Sequence, residues 1–386
     1  MKPIILSPRA AAERDYHNKR MDKADFSMAP FTIAWEVTRA CAYACVHCRA
    51  NAQHQRDPKE LDTQESFHLI DQLSEFGNPI LIFTGGDPMM RRDLFELVEY
   101  AAKKGLRCSL TPTATALPTR ERLEMAAKSG IRRIALSLDA PNEEVHDGFR
   151  QVEGSWQRTM KILRNAQEAG ISAQINTTVS RFNLDLLPQM VPFVEEVGAV
   201  QWSVFFLVPT GRAQVPWMIS PEDHERVFNW LYDLSKVAPF DIKATAAPMY
   251  RRVAIQRKKT EMGLGADVTF QGAGFQYADG LDRPTKGVND GNGFLFISHT
   301  GEIMPSGFLP ITLGNVRDDD VVKVYRDHSV FRDLRDPNKL KGKCGVCEFR
   351  DVCGGQRGRA YGVTGDYLET DPVCFYQPPE FERNQS

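Results

Sequence analysis

The sequence predicts an α/β fold in which a parallel sheet is covered by helices, as a partial barrel or a doubly wound sheet. Three observations point there. Short apolar segments alternate six times with segments whose apolar residues recur at helical spacing. The short segments are nearly continuous runs of Ile, Val, Leu, Phe and Thr, as strands buried on both faces are. The chemically unusual residues fall just after these strands, on the rim where α/β folds gather their chemistry.

Composition bounds the answer. At 386 residues the chain is long enough for two domains or one large barrel with an appendage. Its 42% hydrophobic and 25% charged residues are ordinary for a soluble globular protein. A formal net charge of -2 carries no signature of nucleic-acid binding. No apolar run is long enough to cross a bilayer, and the N-terminal Met1-Lys-Pro-Ile-Ile-Leu-Ser-Pro8 is too short an apolar stretch for a signal peptide, so no membrane association and a cytoplasmic location are expected.

In chain order, residues 1–30 mix charges without periodicity and read as an irregular N-terminal arm. Strands are expected at 32–37, 80–84, 106–111, 132–138, 172–179 and 200–207. Between them Leu69, Ile70, Leu73 and Phe76, then Leu94, Leu97, Val98 and Ala101, then Trp156, Met160, Leu163 and Ala166 mark helix faces. Gly77, Gly105, Gly130, Gly170 and Gly198 follow successive helices where a left-handed cap is needed. This first unit is taken as 31–215. Over 216–293 the pattern turns helical at 222–234 and 250–262, with Arg251, Arg252, Arg257, Lys258 and Lys259 expected on a solvated face, followed by a Gly-rich, polar, long mobile loop. A second unit, 294–386, opens with a hairpin around Gly301.

The eight cysteines fall into Cys41, Cys45 and Cys48 after the first strand, Cys344, Cys347, Cys353 and Cys374 near the end, and a lone Cys108 expected as a buried strand thiol. Clusters of this kind read as metal ligands rather than disulfides. Cys41-x3-Cys45-x2-Cys48 suits three corners of an iron–sulfur cube with one iron left open, or, with His47, a zinc site. The four later cysteines suit a closed Fe–S site or a zinc site equally by count. Position favours the first reading: Thr84-Gly85-Gly86-Asp87-Pro88 follows the second strand, Ser137 and Asp139 the fourth, Asn176 the fifth and Pro209-Thr-Gly211-Arg212 the sixth, all on the rim that carries the cysteine loop. A zinc knuckle has no need of that distribution.

The triple-cysteine loop followed by Gly-Gly-Asp-Pro resembles the radical S-adenosylmethionine (SAM) superfamily, and the C-terminal unit resembles its SPASM/twitch auxiliary-cluster domains. The resemblance implies a partial (β/α)6 TIM-like barrel. In that family three cysteines bind a 4Fe-4S cluster whose open iron is chelated by SAM. An electron from the cluster cleaves SAM to methionine and a 5′-deoxyadenosyl radical, which abstracts a substrate hydrogen. Carried onto this chain, it makes Cys41, Cys45 and Cys48 the catalytic cluster ligands. His47, Gly85, Gly86, Asp87, Ser137, Asp139, Arg150, Asn176 and Leu207 become cofactor-binding residues, and Cys344, Cys347, Cys353 and Cys374 hold one auxiliary 4Fe-4S cluster. Two departures are a His in the place of the usual aromatic before the third cysteine and Gly-Gly-Asp for the usual Gly-Gly-Glu.

More narrowly, Trp35-Glu-Val-Thr-Arg-Ala-Cys41, Leu207-Val-Pro-Thr-Gly-Arg212, Phe296-Ile-Ser-His-Thr-Gly301 and Cys353-Gly-Gly-Gln-Arg-Gly-Arg-Ala-Tyr361 resemble the branch of anaerobic heme synthases, which oxidatively decarboxylate iron-coproporphyrin III. Met304-Pro-Ser306 stands where that branch often has Pro-Cys, which together with Thr111-Pro-Thr-Ala-Thr-Ala116 sets the chain beside that branch. The substrate so implied is a tetrapyrrole or similar polycarboxylate, with Arg212, Arg357 and Arg359 to meet its carboxylates, His299 as a conceivable axial ligand, and flavodoxin or ferredoxin as electron donor. A maturase of ribosomal peptides is the second enzyme reading, weakened by the mere 40 residues ahead of Cys41. A non-enzymatic Fe–S or zinc protein is the third.

Overall fold

The computed structural model describes residues 24–263 and 287–383. One nine-stranded sheet organises it: β1 (Thr32–Thr38), β2 (Ile80–Gly85), β3 (Arg107–Leu110), β4 (Arg133–Ser137), β5 (Ser172–Val179), β6 (Gln201–Phe206), β7 (Asp241–Thr245), β8 (Phe294–Ile297) and β9 (Ile303–Met304), in the order β7-β6-β5-β4-β3-β2-β1-β8-β9. Every pairing is parallel except the β8–β9 hairpin. All six expected strands are present. β1, buried along its whole length, is flanked by β2 and β8, which is why its sequence is apolar without alternation.

Helices α1 (Thr63–Ser74), α2 (Leu94–Lys103), α3 (Arg120–Ser129), α4 (Glu143–Arg150), α5 (Ser155–Glu168), α6 (Leu187–Glu196), α7 (Pro221–Ser235) and α8 (Met249–Glu261) connect and cover the strands. α1 begins with a reciprocal capping box between Asp62 and Glu65, and its Leu69, Ile70 and Leu73 join Leu94, Leu97, Val98 and Ala101 of α2 over Ile33, Trp35 and Val37. Truncating one such buried leucine costs about 2–5 kcal/mol. The five helix-ending glycines named above all have positive φ. Beyond the hairpin follow the short α9 (Val321–Asp327), α10 (Ser329–Arg335), α11 (Gly342–Val346), α12 (Arg357–Thr364) and α13 (Pro379–Arg383).

Alternation divides each strand. Ile134 and Leu136, Ile175 and Thr177, Trp202 and Val204, Ile242 and Ala244 face the helices, and all but Thr177 pack in the main core. The residues between them face inward, so Ser137, Asn176, Ser203 and Lys243, paired in register across β4 to β7, form one row on the concave wall. Ala34, Phe296 and Met304, with Phe294, line the opposite part of that wall.

Four expectations change. Asp241–Thr245 is a strand inside a stretch read as helical, because five residues of Asp-Ile-Lys-Ala-Thr carry too little pattern to be seen. The hairpin around Gly301 exists, but its first strand extends the barrel sheet on β1. The basic cluster of α8 is not a solvated face: Arg251 donates to the carbonyls of Val352 and Val288, buried Arg252 pairs with Glu225, and Arg257 pairs with Asp233. The N-terminal arm ends tied down, with Tyr325 Oη donating to the carbonyl of buried Phe26 at 2.7 Å, while residues 1–23 and most of the expected mobile loop lie outside the described residues.

Candidate active site and auxiliary-cluster site

Strand ends clamp the Cys41–Cys48 loop from two sides. Gly86 N donates to Thr38 O (2.9 Å) and Asp87 N to Ala40 O (2.7 Å). A Cβ on Gly86 would lie 2.3 Å from Ala40 O, and one on Gly85 (φ +143°) 2.1 Å from Thr38 O. The two glycines are therefore needed for the close approach of β2 to β1. After β6, Arg212 N donates to Cys48 O (3.0 Å), and a Cβ on Gly211 (φ +67°) would lie 2.3 Å from Arg49 O.

Cys41 and Cys45 are buried, Cys48 is half-buried, and none is in a disulfide. Tyr43 N donates to Cys41 Sγ (3.3 Å), the Thr113 hydroxyl lies 3.6 Å from the same sulfur, and Arg150 Nη1 donates to Cys45 Sγ (3.8 Å). Burial pushes both thiols up, against these donors. Binding as thiolates is therefore coupled to proton release. Three free thiols, with an N–H aimed at the sulfur of Cys41 and a guanidinium at that of Cys45, are a donor set that fits an Fe–S cube.

Arg150, at the end of α4, is spent on this support. Its Nε meets Asp139 Oδ2 at 2.8 Å. Asp139, fully buried, also accepts from Thr178 N (2.9 Å); burial works to raise its pKa, but Arg150, the two neighbouring histidines His47 and His146 and the Thr178 N–H together hold the carboxyl below its usual value. Asp139 thus positions Arg150 against Cys45. Asp87 is likewise turned inward: it caps the turn at Pro88–Met90 through Met89 N (3.1 Å) and accepts from the Thr115 hydroxyl (2.8 Å). Its burial raises its pKa. Thr113, whose hydroxyl donates to Gly86 O (2.8 Å), and Thr115 belong to the 111–116 stretch, which the sequence reading treated only as a family marker.

His47 stacks on Phe149 with centroids 3.9 Å apart and planes 11° off parallel. Burial, aided by Arg150, holds its pKa down to about 3, so the ring is neutral, and its Nδ1 is buried without a partner among the described residues. Ser137 and Asn176 are register partners on the concave wall, where Asn176 Oδ1 accepts from Gln174 (2.8 Å). Leu207 is buried just past β6, and its carbonyl accepts from Arg359 Nε (3.2 Å). Arg212 presents Nε and Nη2 with no partner among the described residues, an unspent guanidinium on the loop that touches Cys48.

Glu36 is the hub that sequence reasoning missed. Fully buried on β1, it receives Arg49 Nη2 (2.8 Å) and Arg39 Nε (3.1 Å), with His299 Nδ1 at 3.0 Å. Burial works to raise its pKa, but Arg49, the His299 bond and Arg39 hold it down to about 2. Arg49 also lies 4.6 Å over the Phe296 ring, so the residue after Cys48 ties the loop to β1 and β8. His299 lies against this hub, with Nε2 3.8 Å from Asp57 Oδ2. The signal was a lone acid in an otherwise apolar strand.

In the C-terminal part the thiols of Cys344, Cys347, Cys353 and Cys374 lie within electrostatic reach of one another. Arg357 Nη2 donates to Cys344 (3.6 Å), Phe349 N to Cys347 (3.5 Å) and Gly355 N to Cys353 (3.5 Å). Burial pushes Cys347 up to about 12 and Cys374 up to about 11. Among the described residues no three such side chains converge as around a single ion. Arg357 and Arg359, expected at the mouth, are both fully buried: Arg357 serves Cys344 and backbone carbonyls, and Arg359 pairs with Asp371 at 3.0 Å. Ser306 accepts from Phe308 N (3.1 Å) and bonds buried Asp290, an environment with no second thiol.

A parallel β/α barrel carrying this loop is the architecture of radical SAM enzymes, and the Radical SAM superfamily model matches residues 35–188. The chain belongs to that superfamily, whose enzymes hold SAM on a 4Fe-4S cluster and cleave it to a 5′-deoxyadenosyl radical. Within it, the chain stands with the AdoMet-dependent heme synthases. It is 45% identical to that of Oleidesulfovibrio alaskensis over 92% of this chain and 89% of the relative, and 42% identical to that of Methanosarcina barkeri over 91% and 97%. Among solved structures, Streptococcus suis SuiB bound to S-adenosylmethionine superimposes with a TM-score of 0.67 at 16% identity, covering 95% of this chain and 82% of that one, which bears on the fold alone.

Proposed function

We propose that this radical SAM enzyme oxidatively decarboxylates propionate side chains of a tetrapyrrole. The observation that carries the reading is similarity to AdoMet-dependent heme synthases along nearly the whole of both chains. The unspent Arg212 guanidinium beside the cluster loop, complementary to a carboxylate, supports it. When bound, the cluster and SAM supply the hydrogen-abstracting radical. The chain's own residues hold the cysteine loop between β1, β2 and the 207–213 stretch, keep Arg150 on Cys45, and bring the β8–β9 hairpin and the auxiliary cysteines to the barrel. Converting a propionate to a vinyl group removes one hydrogen atom, one CO2 and one further electron, so an electron carrier such as ferredoxin or flavodoxin belongs to the reaction.

The test is anaerobic turnover of the reconstituted protein with reductant, SAM and iron-coproporphyrin III, following 5′-deoxyadenosine and porphyrin mass together. Vinyl products formed in step with 5′-deoxyadenosine are expected. SAM cleavage without a change in porphyrin mass overturns the reading and directs attention to peptide substrates.

A further inference from the structure

One charged side chain on the concave wall has no task in the site described above. Lys243 stands at the middle of β7, in the row Ser137, Asn176, Ser203, Lys243. Ile242 and Ala244 on either side of it pack toward the helices, so Lys243 projects to the inside. There its side chain meets open space although protein surrounds it.

Several polar groups around it bond one another. Ser203 Oγ and Thr245 Oγ1 are 2.7 Å apart, Gln201 donates to Asp241 Oδ2 (3.1 Å) and accepts from Arg133 Nη1 (3.3 Å), and Gln174 donates to Asn176 (2.8 Å). Lys243 makes no hydrogen bond or ion pair among the described residues. The charged groups that face it are Arg133 from β4, Asp241 from its own strand and Arg251 from α8. Three cations share this side of the wall with one carboxylate. Burial, with Arg133 and Arg251 outweighing Asp241, holds the Lys243 ammonium down to about 8. Cations that outnumber the carboxylate facing them are stabilised by an anion that enters.

The row also says where that anion belongs. Its near end, Ser137 and Asn176, lies on the strands toward the cysteine loop, which leaves the β6–β7 end for the substrate. We propose that Lys243 anchors a substrate carboxylate, in the layer of the barrel that it shares with Ser137 and Asn176. The inference rests on the tetrapyrrole reading and adds to it the residue that receives a propionate. An ammonium on a flexible stem offers three rotatable donors and accommodates a carboxylate that must be held in one position while a neighbouring side chain reacts.

Anaerobic titration of the reconstituted, SAM-loaded protein with iron-coproporphyrin III and with its tetramethyl ester tests this, using wild type, Lys243→Met and Lys243→Arg, with iron content and circular dichroism as the check on folding. Lys243→Met is expected to weaken binding of the acid by about 10-fold or more, as loss of a charge-assisted bond does, with Lys243→Arg recovering most of it. The ester is expected to bind weakly and to be indifferent to the substitution. If a correctly folded Lys243→Met binds the acid as wild type does, or loses acid and ester equally, the anchor is overturned while the tetrapyrrole reading stands. If wild type binds neither compound, the tetrapyrrole reading fails and takes the anchor with it.

Discussion

At the scale of single residues, the cysteine loop depends on atoms that have no side chain. Gly211→Ala places a methyl 2.3 Å from Arg49 O at a positive φ, so it is expected to cost about 2–4 kcal/mol and to lower the iron retained after reconstitution, read by iron analysis and thermal unfolding. Arg150→Met leaves the buried Asp139 carboxylate uncompensated. We expect a loss of roughly 3–5 kcal/mol in denaturant unfolding, partly restored by adding Asp139→Asn, because the neutral amide removes the stranded charge. These contacts show what the sequence discloses at this scale. The spacing of Cys41, Cys45 and Cys48 was legible because cluster chemistry dictates it, and the glycines were legible as a motif. Their tasks were not, because whether Asp87 or Asp139 points at a ligand or into the protein depends on partners such as Thr115, Arg150 and Thr178, which lie far off in sequence.

At the scale of elements, the strands announced themselves because burial on two faces demands apolar runs, whereas β7 and the buried basic face of α8 carried no such signal. Helix α7 gives a pH prediction. Its His224 is buried between Phe206 and Phe228, with Nδ1 2.8 Å from Ser220 O. Burial, with Arg359 nearby, lowers its pKa to about 4. In the unfolded chain a histidine takes a proton near 6.5, so the folded state binds fewer protons between these values. Stability is therefore unaffected by this group above pH 7 and falls as pH drops from about 6.5 toward 4, by roughly 2–3 kcal/mol in all. Denaturant unfolding of His224→Phe at a series of pH values should show a shallower decline over that window, whatever its stability at neutral pH. An unchanged slope would mean that the ring is protonated in the fold.

For the whole molecule, two cysteine groups and Ser306 fix a number. Reconstituted protein is expected to hold about eight irons per chain, and Cys353→Ala about four, since each cube takes four. About twelve irons in the wild type would mean a second auxiliary cluster held by ligands other than those identified. The overall plan was largely readable: a barrel, a rim and a C-terminal cysteine unit. What the sequence did not disclose is how the parts join, because β8 needs only four apolar residues to bond β1, and nothing in Phe294–Ile297 says which sheet it enters.

That pairing has a temporal consequence. During synthesis β1 emerges first, yet one of its two edges stays bare until more than 250 further residues have followed, because β8 begins at Phe294. A bare apolar edge invites pairing with the wrong chain. Iron loading before β8 arrives would have to occur on a half-built wall whose Glu36 still lacks His299. The last quarter of the chain must therefore be made before β1 is paired on both sides.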